Sequence, residues 1–138
     1  MAANTNPIYT LTPDIQWSPT ALIAANTAKD GTGTVATVFT ADATNGGFVQ
    51  KIKFRAAGAN GATVARIFIN NGGVNTTATN NVLFDEITLA ATSTNEAGAQ
   101  PPYELPLNIA LPPGYKILVT FGTAVTTGYY ISVTGGKY

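Results

Sequence analysis

The chain has 138 residues, of which 45% are apolar and only 10% charged, with seven basic and seven acidic residues giving a net charge of zero; a soluble domain ordinarily carries about 25% charge. One domain with its own apolar core is the natural expectation at this length. There is no Cys and no His, which excludes disulfides, Ser-His and Cys-His catalytic pairs, and the commonest metal ligand.

Thr, Asn, Ala and Gly take the places that Lys and Glu usually fill. Such a surface either is covered by neighbours or is a plain Thr/Asn-rich β surface. The opening MAANTNPIYTLT has neither a basic start nor a long apolar run. No stretch approaches the roughly 20 apolar residues of a membrane-spanning helix, so a soluble chain made in the cytoplasm is expected.

In chain order, Pro7, Pro13 and Pro19 punctuate NPIYTLTPDIQWSPT between Ile8, Leu11, Ile15 and Trp17. Each proline fixes φ and pushes its predecessor towards extended geometry. Residues 1–20 therefore read as an extended arm ahead of a domain spanning 21–138, with a first edge strand lying against its own sandwich as the alternative. SPTALIAANTAK (18–29) is the one helical candidate, and its middle, ALIAA, fits a strand equally well.

From Val35 onwards the period is two. VATVFT (35–40) is rich in β-branched residues. GFVQKIKFRAA (47–57) places Phe48, Ile52, Phe54 and Ala56 on one face, with Val49, Lys51, Lys53 and Arg55 on the other. Asn60-Gly61 predicts a tight hairpin turn. ATVARIFIN (62–70) alternates Ala65, Ile67 and Ile69 against Val64, Arg66 and Phe68. After the polar loop 70–81, VLFDEITLA (82–90) puts Leu83, Ile87 and Leu89 on one side, interrupted there by Asp85. Beyond a second long loop (91–102), YELPLNIAL (103–111) turns Tyr103, Leu105, Leu107, Ile109 and Leu111 inward, while Pro106, lacking a donor, marks a sheet edge. PPG turns the chain, and YKILVTFG (115–122) and GYYISVTGG (128–136) complete the set.

About eight strands with Gly, Pro and Asn punctuation describe an all-β, two-sheet antiparallel β sandwich, with a jelly roll as the expected topology. The Asn60-Gly61 hairpin pulls against that topology, because a jelly roll sends many consecutive strands to opposite sheets.

Chemistry is hard to build from these residues. The carboxylates are Asp14, Asp30, Asp42, Asp85, Glu86, Glu96 and Glu104, and adjacent Asp85 and Glu86 point to opposite faces of a strand. KDGTG and DATNGG are turn chemistry rather than a calcium loop, and AGANGA has no following Lys to make it a phosphate loop. The expectation is a protein that is not an enzyme and uses no metal or other cofactor. Lys51, Lys53 and Arg55 form either a solvated face or a contact for an acidic partner; zero net charge argues against nucleic acid. Tyr129 and Tyr130 are consecutive, so one of them faces away from the core. The candidate contact residues are Ile8, Tyr9, Leu11 and Trp17 on the arm, the Lys51, Lys53 and Arg55 stripe, and Tyr129 and Tyr130.

Four stretches carry a resemblance: NTNPIYTLTPDIQW, ANTAKDGTGTVATVFTA, RIFINNGG with its Asn/Thr loop, and PLNIALPPGYKILVTFGT. Together they cover most of the chain, which resembles the capsid cement (decoration) proteins of tailed bacteriophages of the jelly-roll type. The resemblance implies a non-enzymatic structural virion protein, synthesised in the host cytoplasm and located on the outer surface of the capsid. It implies the major capsid protein as partner and a small homo-oligomer, a dimer before a trimer, that clamps neighbouring capsomers. The competing expectation is a receptor- or glycan-binding β-sandwich head of a viral fibre or appendage.

Overall fold

A computed structural model of the chain describes residues 9–138; the candidate contact Ile8 lies outside them. Among the described residues, eight strands form two antiparallel sheets, together with one short 3-10 turn, Ala78–Asn80. The strands are β1 (Thr12–Trp17), β2 (Ala36–Thr40), β3 (Gly47–Ala56), β4 (Thr63–Asn70), β5 (Asn81–Leu89), β6 (Tyr103–Leu111), β7 (Lys116–Phe121) and β8 (Tyr129–Lys137). One sheet has the order β1-β8-β3-β6 and the other β2-β7-β4-β5. The chain crosses between sheets at every connection except β4–β5, which gives the eight-stranded jelly-roll order.

The core lies between the sheets. Phe39, Ile52, Phe54, Ile67, Ile117, Phe121, Tyr129 and Val133 are fully buried there, and the Phe121 and Tyr129 rings meet edge-on with centroids 5.6 Å apart. The inward alternation read for β6 holds, with Leu107 and Leu111 buried and Tyr103, Leu105 and Ile109 packed against the core. Pro106 sits on β6, an edge strand, where a missing N–H costs no ladder bond.

Several expectations are corrected. Residues 12–17 are not an arm outside the sandwich: they pair with β8 from Thr12↔Lys137 to Trp17↔Ser132, so the division at residue 20 does not separate two units. Pro13 is tolerated because β1 is an edge strand. Residues 18–29 form neither helix nor strand. The segment makes isolated bridges to Tyr129 through Leu22 and to Phe121 through Ala25, passing from the edge of one sheet to the other.

The register of β3 breaks at Gln50. Val49 pairs with Gly135 and Lys51 with Thr134, leaving Gln50 as the extra residue of a bulge. The phase therefore flips: Val49 turns inward and is fully buried, while Phe48 joins the outward side with Lys51. The same device acts on β5. Ile67 pairs with Asp85 and Phe68 with Leu83, so Phe84 is the extra residue and Leu83 lies on the outer rather than the core side.

Asn60-Gly61 makes no hairpin. β3 and β4 belong to opposite sheets, and Asn60 is buried at the end of the sandwich. Its Oδ1 accepts from the N–H groups of Thr127 (2.9 Å) and Gly128 (2.8 Å), and its Nδ2 donates to the Gly128 carbonyl (3.0 Å). Its backbone bridges Thr92. One asparagine thus ties together the β3–β4, β5–β6 and β7–β8 connections. Gly128 has φ +84, and a Cβ there would stand 2.7 Å from the Leu22 carbonyl, so the hub requires glycine at that position.

Candidate functional site

The outer faces of the two sheets differ. Across the outside of the β2-β7-β4-β5 sheet runs the segment 25–34, from Phe121, which bridges Ala25, to the β4–β5 connection. There Asn75 Nδ2 donates to the carbonyls of Gly31 and Gly33, and Asn81 Nδ2 to that of Asp30. Asn26 holds the segment from within by donating to Thr32 and Thr34. With this cover in place the outward side chains Phe68, Leu118 and Thr120 are buried, and Arg66 reaches the Asn26 carbonyl and Glu86. Much of the Asn and Thr content is therefore internal wiring of irregular backbone, a use distinct from a surface awaiting neighbours.

Among the described residues the outside of the β1-β8-β3-β6 sheet carries no such cover beyond Thr10, whose side chain stands over Gly136. Register places its outward side chains in rows: Trp17, Ser132, Lys53 and Glu104; then Ile15, Thr134, Lys51 and Pro106; then Pro13, Gly136, Phe48 and Ala110. Arg55 pairs with Tyr130 beyond the first row. Strand β1 is inverted relative to an ordinary sandwich strand. Ile15 (59% exposed) and Trp17 (65% exposed) point outward, while the polar Asp14 and Gln16 are on the side of the opposite sheet. No β1 side chain enters the apolar core.

Of the candidate contact residues, Trp17, Lys51, Lys53, Arg55 and Tyr130 meet on this one face, and Leu11 is exposed just ahead of β1. Tyr9 joins them at its corner, where Tyr9, Thr10, Phe48 and Tyr138 line a depression of about 290 Å³. Tyr129 is excluded: it is fully buried against Phe121 and available to nothing outside. Ile15 and Phe48 belong to the face and were not singled out from sequence. Ile15 alternates with Trp17 through Gln16, a signal legible once β1 is read as a strand; Phe48 is hidden by the bulge.

The cations of the face are partly answered within it. Glu104 on β6 takes Lys51 Nζ at 3.1 Å and Lys53 Nζ at 3.6 Å, on its two different oxygens. The hydrogen bond and charge of Lys51 hold the Glu104 carboxyl below its ordinary value. Arg55 donates to the Gln100 carbonyl at 3.2 Å. These groups are roughly two-fifths exposed, so the pairs contribute little to stability and mainly set the local field.

The turn reading of KDGTG and DATNGG holds. Asp30 accepts from the N–H and hydroxyl of Thr32, and Asp42 from the N–H groups of Thr44 and Asn45. Among the described residues no three of Asp, Glu, His and Cys stand together in a metal-binding group. Comparison with protein-family models, with curated proteins and with solved structures gave no match.

Proposed function

We propose that this protein is a non-enzymatic capsid cement protein of a tailed bacteriophage, docking the outside of its β1-β8-β3-β6 sheet on the major capsid protein shell. The observation that carries the reading is the inverted strand β1. A sandwich gains stability by turning apolar side chains inward, yet Ile15 and Trp17 stand in solvent while Asp14 and Gln16 take the inner side. Burying such residues against a partner recovers roughly 1.5–3 kcal/mol for each large apolar side chain. Trp is also the residue most often found to dominate an interface.

The resemblance to cement proteins supplies the capsid as the assembly. The face supplies a mechanism: a flat, one-sided contact on a rigid sheet that needs little rearrangement to bind. A small homo-oligomer presenting two such faces links neighbouring capsomers, its second contact favoured by an effective concentration on the order of mM. Because it binds the assembled lattice, it stabilises the head by mass action.

The test is co-sedimentation of the purified chain with expanded shells that lack it. Retention of the wild type, and at least a tenfold loss (about 1.4 kcal/mol) for Trp17→Ala, is the expected result. Absence of wild-type retention refutes the proposal.

A second reading, a glycan-binding head, draws on the aromatic-lined depression of Tyr9, Phe48 and Tyr138. It predicts saturable binding on a glycan array that Phe48→Ala removes.

A further inference from the structure

We infer that the surface received by the β1-β8-β3-β6 face is an acidic protein surface, and that Glu104 is a built-in competitor for the lysines that recognise it. The inference rests on the docking role proposed above and names the chemistry of the partner.

The chain is neutral, but its charge is segregated. Three of the seven basic residues, Lys51, Lys53 and Arg55, lie on this face, against Glu104 alone of the seven acidic ones. Of the other carboxylates, Asp14 is on the inner side of β1, Asp30 and Asp42 are in turns and Asp85 and Glu86 are on β5 of the opposite sheet, while Glu96 belongs to the β5–β6 connection, which Arg55 touches through the Gln100 carbonyl. A molecule with no net charge thus presents one cationic face and an anionic remainder. Charge arranged in this way orients an encounter even when long-range attraction is absent.

The arrangement is specific in its geometry. Side chains two apart on a strand repeat at about 6.6–7 Å, and Trp17, two strands from Lys53, stands about 10 Å to the side. The complementary surface carries carboxylates along a line beside an apolar recess. Glu104 shows that the face accepts a carboxylate between two ammonium groups, one oxygen to each. Arg55, whose bond goes to a neutral carbonyl, pairs with no carboxylate among the described residues. A phosphate backbone suits the site less well, because three cations offset by one anion release few counterions and the rest of the molecule repels a polyanion. Glu104 in turn lowers the affinity for acidic partners by holding Lys51 and Lys53 in the free protein.

The experiment uses the full chain on a surface coated with poly-L-glutamate at low ionic strength, with shells in parallel and single-stranded oligothymidylate as competitor. Glu104→Gln should bind poly-glutamate about two- to fivefold tighter than wild type and Lys53→Glu more weakly. Both differences should fade as salt is raised. An unchanged or weakened Glu104→Gln overturns the inference, and so does oligothymidylate that binds more tightly than poly-glutamate. If shells retain wild type, Glu104→Gln and Lys53→Glu equally, the capsid reading stands and the acidic-partner inference falls. If the poly-glutamate order holds while shells retain nothing, the acidic preference stands and the capsid reading falls.

Discussion

Gln16 and Thr40 join the two sheets at their open edge. The Gln16 side-chain amide donates to the Thr40 carbonyl at 2.9 Å and accepts from the Thr40 N–H at 2.9 Å, so one side chain pairs with the edge backbone of β2 as a neighbouring strand would. Its Nε2 also meets Asp14 at 2.9 Å. This is why β1 spends its inward positions on polar residues: it lies at the seam, where the groups to be satisfied are backbone amides rather than apolar side chains. Replacing Gln16 by Ala should lower unfolding stability by about 1–2 kcal/mol, the net worth of two neutral hydrogen bonds. Urea titration measures it, and an unchanged midpoint would show that the clamp is idle in solution.

The outward residues of β1 should behave in the opposite way. Trp17→Ser and Ile15→Thr remove side chains that pack on nothing in the core, so each is expected to change stability by less than about 0.5 kcal/mol. Ile52→Ala, on the buried side of β3, should cost about 2–5 kcal/mol. Thermal melts of the three variants compare them directly. A Trp17 variant as unstable as the Ile52 variant would mean that Trp17 serves the fold.

Asn60 should be the most sensitive polar position. Asn60→Ala leaves the Thr127 and Gly128 N–H groups without their acceptor and the Gly128 carbonyl with the Ala57 N–H as its remaining donor, a predicted loss of about 2–4 kcal/mol. Asn60→Asp keeps the acceptor but loses the donor and buries a charge, so it should not rescue. Denaturant midpoints decide this, and a mild effect of Ala would mean that water substitutes for the amide.

Stability should be flat between about pH 5 and pH 9. The carboxyls of Asp30, Asp42 and Glu104 are held below their ordinary values of 3.8, 3.8 and 4.5, by Thr32, by the N–H groups of Asn45 and Thr44, and by Lys51 respectively. A lowered folded-state value means that the stabilisation is complete above the ordinary value and is lost as pH falls through the folded one. The Tyr129 phenol is shifted the other way, raised above 10.0 first by burial and then by Tyr103. Its contribution is complete below 10.0 and is lost as pH rises through the folded value. Melting temperature measured across pH gives the profile, and a step near pH 6–7 would contradict it, since the chain has no His.

The strands β2 to β8, the alternation of β4, the inward face of β6 and the edge position of Pro106 were legible in the sequence. Period-two burial and the missing proline donor are local properties that a linear string carries. Most members of the candidate face, though not Ile15 and Phe48, were legible one by one, as exposed Trp and Tyr and alternating Lys and Arg. Their meeting on one sheet was not, because β1 and β3 touch only through β8, which arrives at the far end of the chain. The bulges at Gln50 and Phe84 were also invisible: an extra residue is accommodated by the register of the partner strands, and it exchanges the faces of Val49 and Phe48. Asn60-Gly61 carries a strong local preference for a hairpin, but pairing β3 with β8 and β6 buries more apolar surface than that turn can offset, so the asparagine becomes a hub between loops. Sequence determined the strands from β2 onwards and the alternation within them; the tertiary structure decided that residues 12–17 pair as β1, where the bulges shift the faces, and which sheet each strand joins, since those choices depend on contacts between residues far apart in the chain.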